Sequence, residues 1–65
     1  LPTPAVDLTP GDTYAYGPHV FTVTARPYTV PGCFGEDVLR IPVRDHNGVD
    51  TCDVVYPDHE VQKET

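Results

Sequence analysis

Apolar and polar residues alternate most regularly between Asp37 and Tyr56, where two runs flank Asp45-His46-Asn47-Gly48. Asn-Gly between such runs predicts a β-hairpin, because both residues tolerate the positive φ of a primed turn. A two-residue loop sets Val43 opposite Cys52, Ile41 opposite Val54 and Leu39 opposite Tyr56, so one surface becomes continuously apolar and the other carries Arg40, Arg44 and Asp53. Hydrophobic alignment favours that register. It also leaves Pro42 at a hydrogen-bonded position, where its missing N–H is felt. The alternative is a three-residue loop, with Asp45 opening a type I turn and Gly48 supplying a left-handed bulge. That loop moves Pro42 to a non-hydrogen-bonded site and places Arg44 opposite Asp50.

Upstream, Thr9-Pro10-Gly11-Asp12 is a turn signal leading into a short β-prone run, Thr13 to Tyr16. Gly17-Pro18 then breaks the chain before the alternating strand His19 to Ala25. Pairing across that break sets Tyr14 against Phe21, both pointing into the core. Proline fits poorly at the second central position of a tight turn, which predicts a looser loop there. Residues Arg26 to Glu36 read as a long connection, with Pro31-Gly32 suited to a type II turn. Pro57 to Glu60 reads as a single tight turn, with Val61-Gln62 as a brief last strand. Residues 1–10 carry Pro2, Pro4 and Pro10 and read as an extended arm, with Val6 and Leu8 as its apolar contacts. The expectation is an all-β chain: a small five-stranded barrel or sandwich over residues 11–62, preceded by that arm.

Composition sharpens this picture. Eight prolines and five glycines, with no Met or Trp, point away from helix. At 65 residues the chain is one domain with a small core and little room for a walled small-molecule pocket. The formal charge is −6, ten carboxylates against four Lys and Arg. That sign disfavours direct nucleic-acid binding and promotes solubility. No apolar run approaches the length of a membrane span, so no membrane association is expected. The chain opens on Leu1, as a processed or excised piece would. Cys33 and Cys52 permit one disulfide, with two free thiols as the alternative.

The order of these features resembles an SH3-like small β-barrel: Pro10-Gly11-Asp12 opening the first strand, the His19 to Ala25 strand, a long loop, the tight Asn47-Gly48 hairpin, and a turn through Asp58 and His59 into Val61. The resemblance covers about Thr9 to Gln62. Peptide-binding SH3 domains hold proline-rich ligands in an aromatic groove containing Trp; here only Tyr14, Tyr16, Tyr28 and Tyr56 offer such faces. The layout is also similar to that of accessory structural subunits, including those of phage particles, whose proline-rich arms reach onto a neighbouring protein. That likeness implies a place in a virion or other large assembly.

Catalytic and metal chemistry find little support in the spacing. Cys33, His46, Cys52 and His59 lack the close pairs of a structural zinc site, so no cofactor or metal is expected. Asp45 to Asp50 lacks the acid spacing of a calcium loop and reads as a plain turn. No signature brings a cysteine to a histidine as nucleophile and base, so no enzyme is expected. His19, His46 and His59 read as solvated side chains at strand ends and turns. Val6, Leu8, Tyr28, Val30 and Phe34 exceed what so small a barrel can bury, which points to a protein-binding or self-associating module. The alternatives are an acidic mimic that blocks a basic nucleic-acid site, and a secreted domain stapled by Cys33 and Cys52. Asp50 and Asp53 have opposite strand parity, which counts against a single acidic face.

Overall fold

A computed structural model describes residues 1–64. The described chain is all-β: β1 (Pro2–Pro4), a 3₁₀ turn (Ala5–Asp7), β2 (Thr13–Tyr16), β3 (His19–Val23), β4 (Tyr28–Pro31), β5 (Asp37–Arg44), β6 (Asp50–Val55) and β7 (Glu60–Lys63). One curled antiparallel sheet runs β1-β7-β2-β3-β5-β4, with β6 on the other side of β5. Seven strands therefore stand where five were expected. The two additions are β1, within the expected arm, and β4, within the expected long connection.

Both additions have a local cause. Pro2 and Pro4 fix extended backbone, and β1 pairs with β7 through Thr3 and Val61. The Ala5 N–H donates to the His59 carbonyl at 2.9 Å, and the 3₁₀ turn then carries Ala5 and Leu8 into the core. Residues 1–10 are thus integral to the sheet rather than an arm beside it. β4 forms because Gly32 to Glu36 closes a hairpin with Gly35 at φ +82°. The Asp45 to Val49 turn has the same form, a three-residue loop whose glycine, Gly48, lies at φ +79°.

That second turn decides the central hairpin. The Asp45 N–H donates to the Val49 carbonyl and the Gly48 N–H to the Asp45 carbonyl, both at 3.0 Å. The Asp45 carboxylate accepts N–H bonds from Asn47 and Val49. Arg44 consequently faces Asp50, Pro42 faces Cys52 and Ile41 faces Asp53. The two-residue register is overturned, and the three-residue alternative is the one adopted. The slip of one residue turns Thr51, Asp53 and Val55 to the side of Leu39, Ile41 and Val43, where Asp53 and Val55 are half-buried and Thr51 stays exposed, and turns Cys52, Val54 and Tyr56 to the other.

Pro42 now lies at a non-hydrogen-bonded site relative to β6, with its backbone directed at β3. Its carbonyl accepts the Thr24 N–H at 2.9 Å, and the β3 ladder ends there for want of a return donor. Beyond it the same edge of β5 pairs with β4, from Arg40 to Asp37. One proline thus divides an eight-residue strand between two neighbours.

At the other end of the sheet, Gly17-Pro18 forms a two-residue turn rather than a loose loop, with Tyr16 opposite His19. Gly17 at φ +58° takes the first central position of a II′ turn, and the second position suits the fixed φ of proline. Tyr14 pairs with Phe21 as expected, ring edge to face at 5.8 Å.

The core comprises Ala5, Leu8, Tyr14, Val23, Leu39, Ile41, Val43 and Val61, with Phe21 and Val55 packed against it. Tyr14 crosses the concave interior and its hydroxyl donates to Asp53 Oδ2 at 2.9 Å. Burial, followed by the adjacent Asp53 carboxylate, pushes the Tyr14 phenol well above its ordinary range. Replacing Tyr14 by Phe strands a half-buried carboxylate and is expected to cost about 1.5–3 kcal/mol, the range for a hydrogen bond to a charged group, read by urea unfolding.

Stability has an alkaline and an acid limb. Because the folded phenol of Tyr14 titrates above the unfolded one, its contribution is complete below about pH 10 and is lost as pH rises further. Ionisation of Tyr14 followed at 295 nm should therefore coincide with unfolding. Asp12 runs the other way: the Thr9 N–H and hydroxyl and the Lys63 ammonium hold its carboxyl low. Asp45 is likewise lowered, chiefly by the Val49 N–H. Their contribution is present above about pH 4 and is lost as pH falls through the folded values. Urea midpoints should drop in acid, and the drop should shrink in Asp12→Asn.

Candidate functional site

The register of β4, β5 and β6 builds an apolar outer face. Cross-strand partners share a face, so Val30 stands beside Val38, and Tyr28 beside Arg40, which in turn stands beside Val54. Pro42 and Cys52 make the next row, and Arg44 and Asp50 close it with an ion pair at 2.8 Å. Tyr56 continues the outward parity of Cys52 and Val54 and meets Val38 in a shallow depression of about 60 Å³, lined also by Gly32, Cys33, Phe34 and Glu36. That volume is well below the several hundred Å³ of a typical small-molecule site.

Exposure separates the residues that shape this face from those available to a partner. Phe34 is 93% exposed, Tyr56 61%, Val54 55% and Tyr28 45%, while Val30 and Val38 are half-buried beneath them. Phe34 projects because it occupies the middle of the Cys33-Phe34-Gly35 loop, where no strand neighbour covers it.

Of the five residues expected at a partner surface, Tyr28, Val30 and Phe34 come together here. Val6 is 52% exposed but lies on the 3₁₀ turn next to β1, at the opposite end of the strand order. Leu8 is fully buried in the core, so its side chain is used internally. Val38, Val54 and Tyr56 went unforeseen because the two-residue register pointed Val54 and Tyr56 inward. The signal that points toward them is Pro42, whose missing N–H favours the loop that sets it at a non-hydrogen-bonded position opposite β6.

The thiols are both free, Cys33 exposed and Cys52 half-buried. Cys33 lies in the loop beyond Glu36 and Cys52 opposite Pro42; from Glu36 to Pro42 is about 20 Å of strand at a rise of ~3.3 Å per residue. A disulfide requires Cα atoms within about 7 Å, so this fold does not admit a bridge between them. Among the described residues no three His, Cys, Asp or Glu side chains converge as a metal site. The carboxylate of Asp45 is turned onto its own loop backbone and that of Asp50 onto Arg44. His19 and His46 stack with ring centres 3.9 Å apart, which ties the β2–β3 turn to the β5–β6 turn. Asp50 and Asp53 lie on opposite faces of β6, as their parity implied. Among the described residues no helix is long and apolar enough to cross a membrane.

Comparison with known proteins finds no matching family model, no matching curated protein and no matching solved structure.

The geometry of the thiols is directly testable. Under native conditions Cys33 should react with a thiol reagent well ahead of Cys52, and Cys33→Ser should remove the fast phase. Mass spectrometry after mild oxidation of dilute protein should recover no intramolecular crosslink.

Proposed function

We propose that the chain is a non-enzymatic protein-interaction module that presents the outer face of β4, β5 and β6 to an apolar partner surface. The observation that carries this reading is the gathering of exposed Phe34 and Tyr56 beside a half-buried Val38 and Val30, with Tyr28 and Val54 flanking Arg40 in the next row. Exposed apolar residues that cluster, unlike those scattered singly over a surface, mark contact sites. Aromatic residues at the centre of a patch are the usual anchors of an interface. The shallow depression beside Tyr56 favours a protein surface over a small molecule as occupant.

In this proposal the frame is SH3-like, and its contact surface differs from that of proline-binding SH3 domains because it lacks Trp and is built from β4 and its loop. On this reading the module is a structural accessory subunit, held in a larger assembly such as a virion. The acidic balance offers a second reading, an inhibitor that occupies a basic site on its partner. Of the four Lys and Arg side chains, Arg44 and Lys63 are already committed to Asp50 and Asp12, so little cationic surface opposes the acids.

Phe34→Ser and Tyr56→Ser alter exposed side chains and should leave the unfolding midpoint within about 0.5 kcal/mol of the parent. Affinity capture with the parent chain should retain a partner that each variant loses, with retention insensitive to salt. Capture that collapses as ionic strength rises and ignores both substitutions would favour the acidic-inhibitor reading. Failure to retain any partner would sink the proposal.

A further inference from the structure

The sheet ends in three open edges, and proline treats them unequally. In an antiparallel ladder, alternate residues direct N–H and C=O toward the neighbour and the rest direct them outward. The Ala5 to His59 bond fixes that alternation for β1, and its outward positions are Pro2 and Pro4, neither of which has an N–H. The Gly32 to Glu36 bond fixes it for β4, whose outward positions are Thr29 and Pro31, preceded by Pro27. The Asp45 to Val49 bond fixes it for β6, whose outward positions are Asp50, Cys52 and Val54. Two edges are therefore blunted by proline at the positions where a neighbour would pair. β6 alone presents a full row of donors and acceptors, the template on which another strand adds.

We propose that this row pairs with itself: two copies of the chain associate antiparallel along β6, about a two-fold axis at Cys52. This goes beyond the outer-face reading and does not depend on it. With Cys52 on its own mate, Asp50 meets Val54 of the second copy and Val54 meets its Asp50, so every outward residue finds an outward residue. On the inner face Thr51 meets Asp53 of the second copy, a hydroxyl donor beside a carboxylate whose Oδ2 already takes the Tyr14 hydroxyl. Axes at Asp53 and Asp50 are worse, since each sets a carboxylate on its own mate, and an axis at Thr51 forfeits the pairing of Val54. An axis at Val54 would carry Cys52 away from its own mate, so a Cys52–Cys52 crosslink separates that register from this one.

Charge is consistent with a second copy once its local disposition is considered. Asp50 is offset by Arg44 at 2.8 Å, so the edge itself is less acidic than the chain. What remains is the repulsion of two bodies of charge −6, which salt screens over a Debye length of about 8 Å at physiological strength. Self-association by this route should therefore strengthen as salt is added, the reverse of a charge-driven complex.

Sedimentation velocity of the full chain under reducing conditions, over a concentration series reaching millimolar, should show a monomer–dimer equilibrium that shifts toward dimer with added salt. Val54→Pro removes an outward N–H and no bond to β5. By symmetry it deletes two hydrogen bonds, each contributing on the order of a factor of five, so the dimer should weaken at least about tenfold. A second measurement does not rely on that variant folding. In Cys33→Ser, oxidised glutathione should accept two electrons from two Cys52 thiols, releasing reduced glutathione and leaving a Cys52–Cys52 disulfide between copies. The expected Cα separation at a hydrogen-bonded antiparallel pair, about 5.5 Å, suits that bond. A monomer at all concentrations overturns the proposal. So does a dimer that resists Val54→Pro in a folded variant, that fails to crosslink through Cys52, or that is lost instead in Phe34→Ser.

Discussion

The turn from Asp45 to Val49 sets the register of β5 on β6, and most of the remaining structure follows from it. The Asp45 carboxylate gathers two backbone N–H groups, Gly48 takes the left-handed conformation, and the ladder is thereby fixed to the residue. Asp53 then points inward, a costly position for a carboxylate. The Tyr14 hydroxyl meets it there, joining β2 to β6 across the interior. The same step carries Val54 and Tyr56 outward. Core composition and the exposed apolar face are thus two consequences of one loop length.

Proline does a second kind of work in this fold. Pro42 ends the pairing of β3 with β5 and frees the rest of that edge for β4, which lets a short chain wrap a sheet around a small core. Pro2, Pro4 and Pro31 leave outward positions of β1 and β4 without an N–H, and Pro27 does so just before β4. A residue type usually taken as a sign of irregular structure here decides where the sheet stops and where it stays open.

Much of this was legible in the residues. The alternation of Leu39, Ile41 and Val43, the Asn-Gly turn, the pairing of Tyr14 with Phe21 and the turn before Val61 all follow from local periodicity and turn chemistry. The candidate site was legible in part: Tyr28, Val30 and Phe34 stand out as apolar residues in a segment rich in turn formers. Leu8 misled because an apolar residue after several prolines reads as an exposed arm, whereas the Ala5 N–H bond to His59 folds it back into the core. That bond joins residues more than fifty positions apart, and no local pattern announces it.

The sequence by itself determined an all-strand chain, the positions of its turns and the acidic balance of its surface, because backbone preferences and side-chain period act over a few neighbours. Tertiary structure alone decided which side of β6 faces inward. Two registers satisfied the local rules, one by aligning apolar side chains and the other by turn geometry and the placement of Pro42. Only the full set of contacts, with Tyr14 waiting for Asp53 and Arg44 for Asp50, separates them. A slip of one residue exchanges core for surface, so the choice between the two registers is also the choice of which β6 side chains stand exposed.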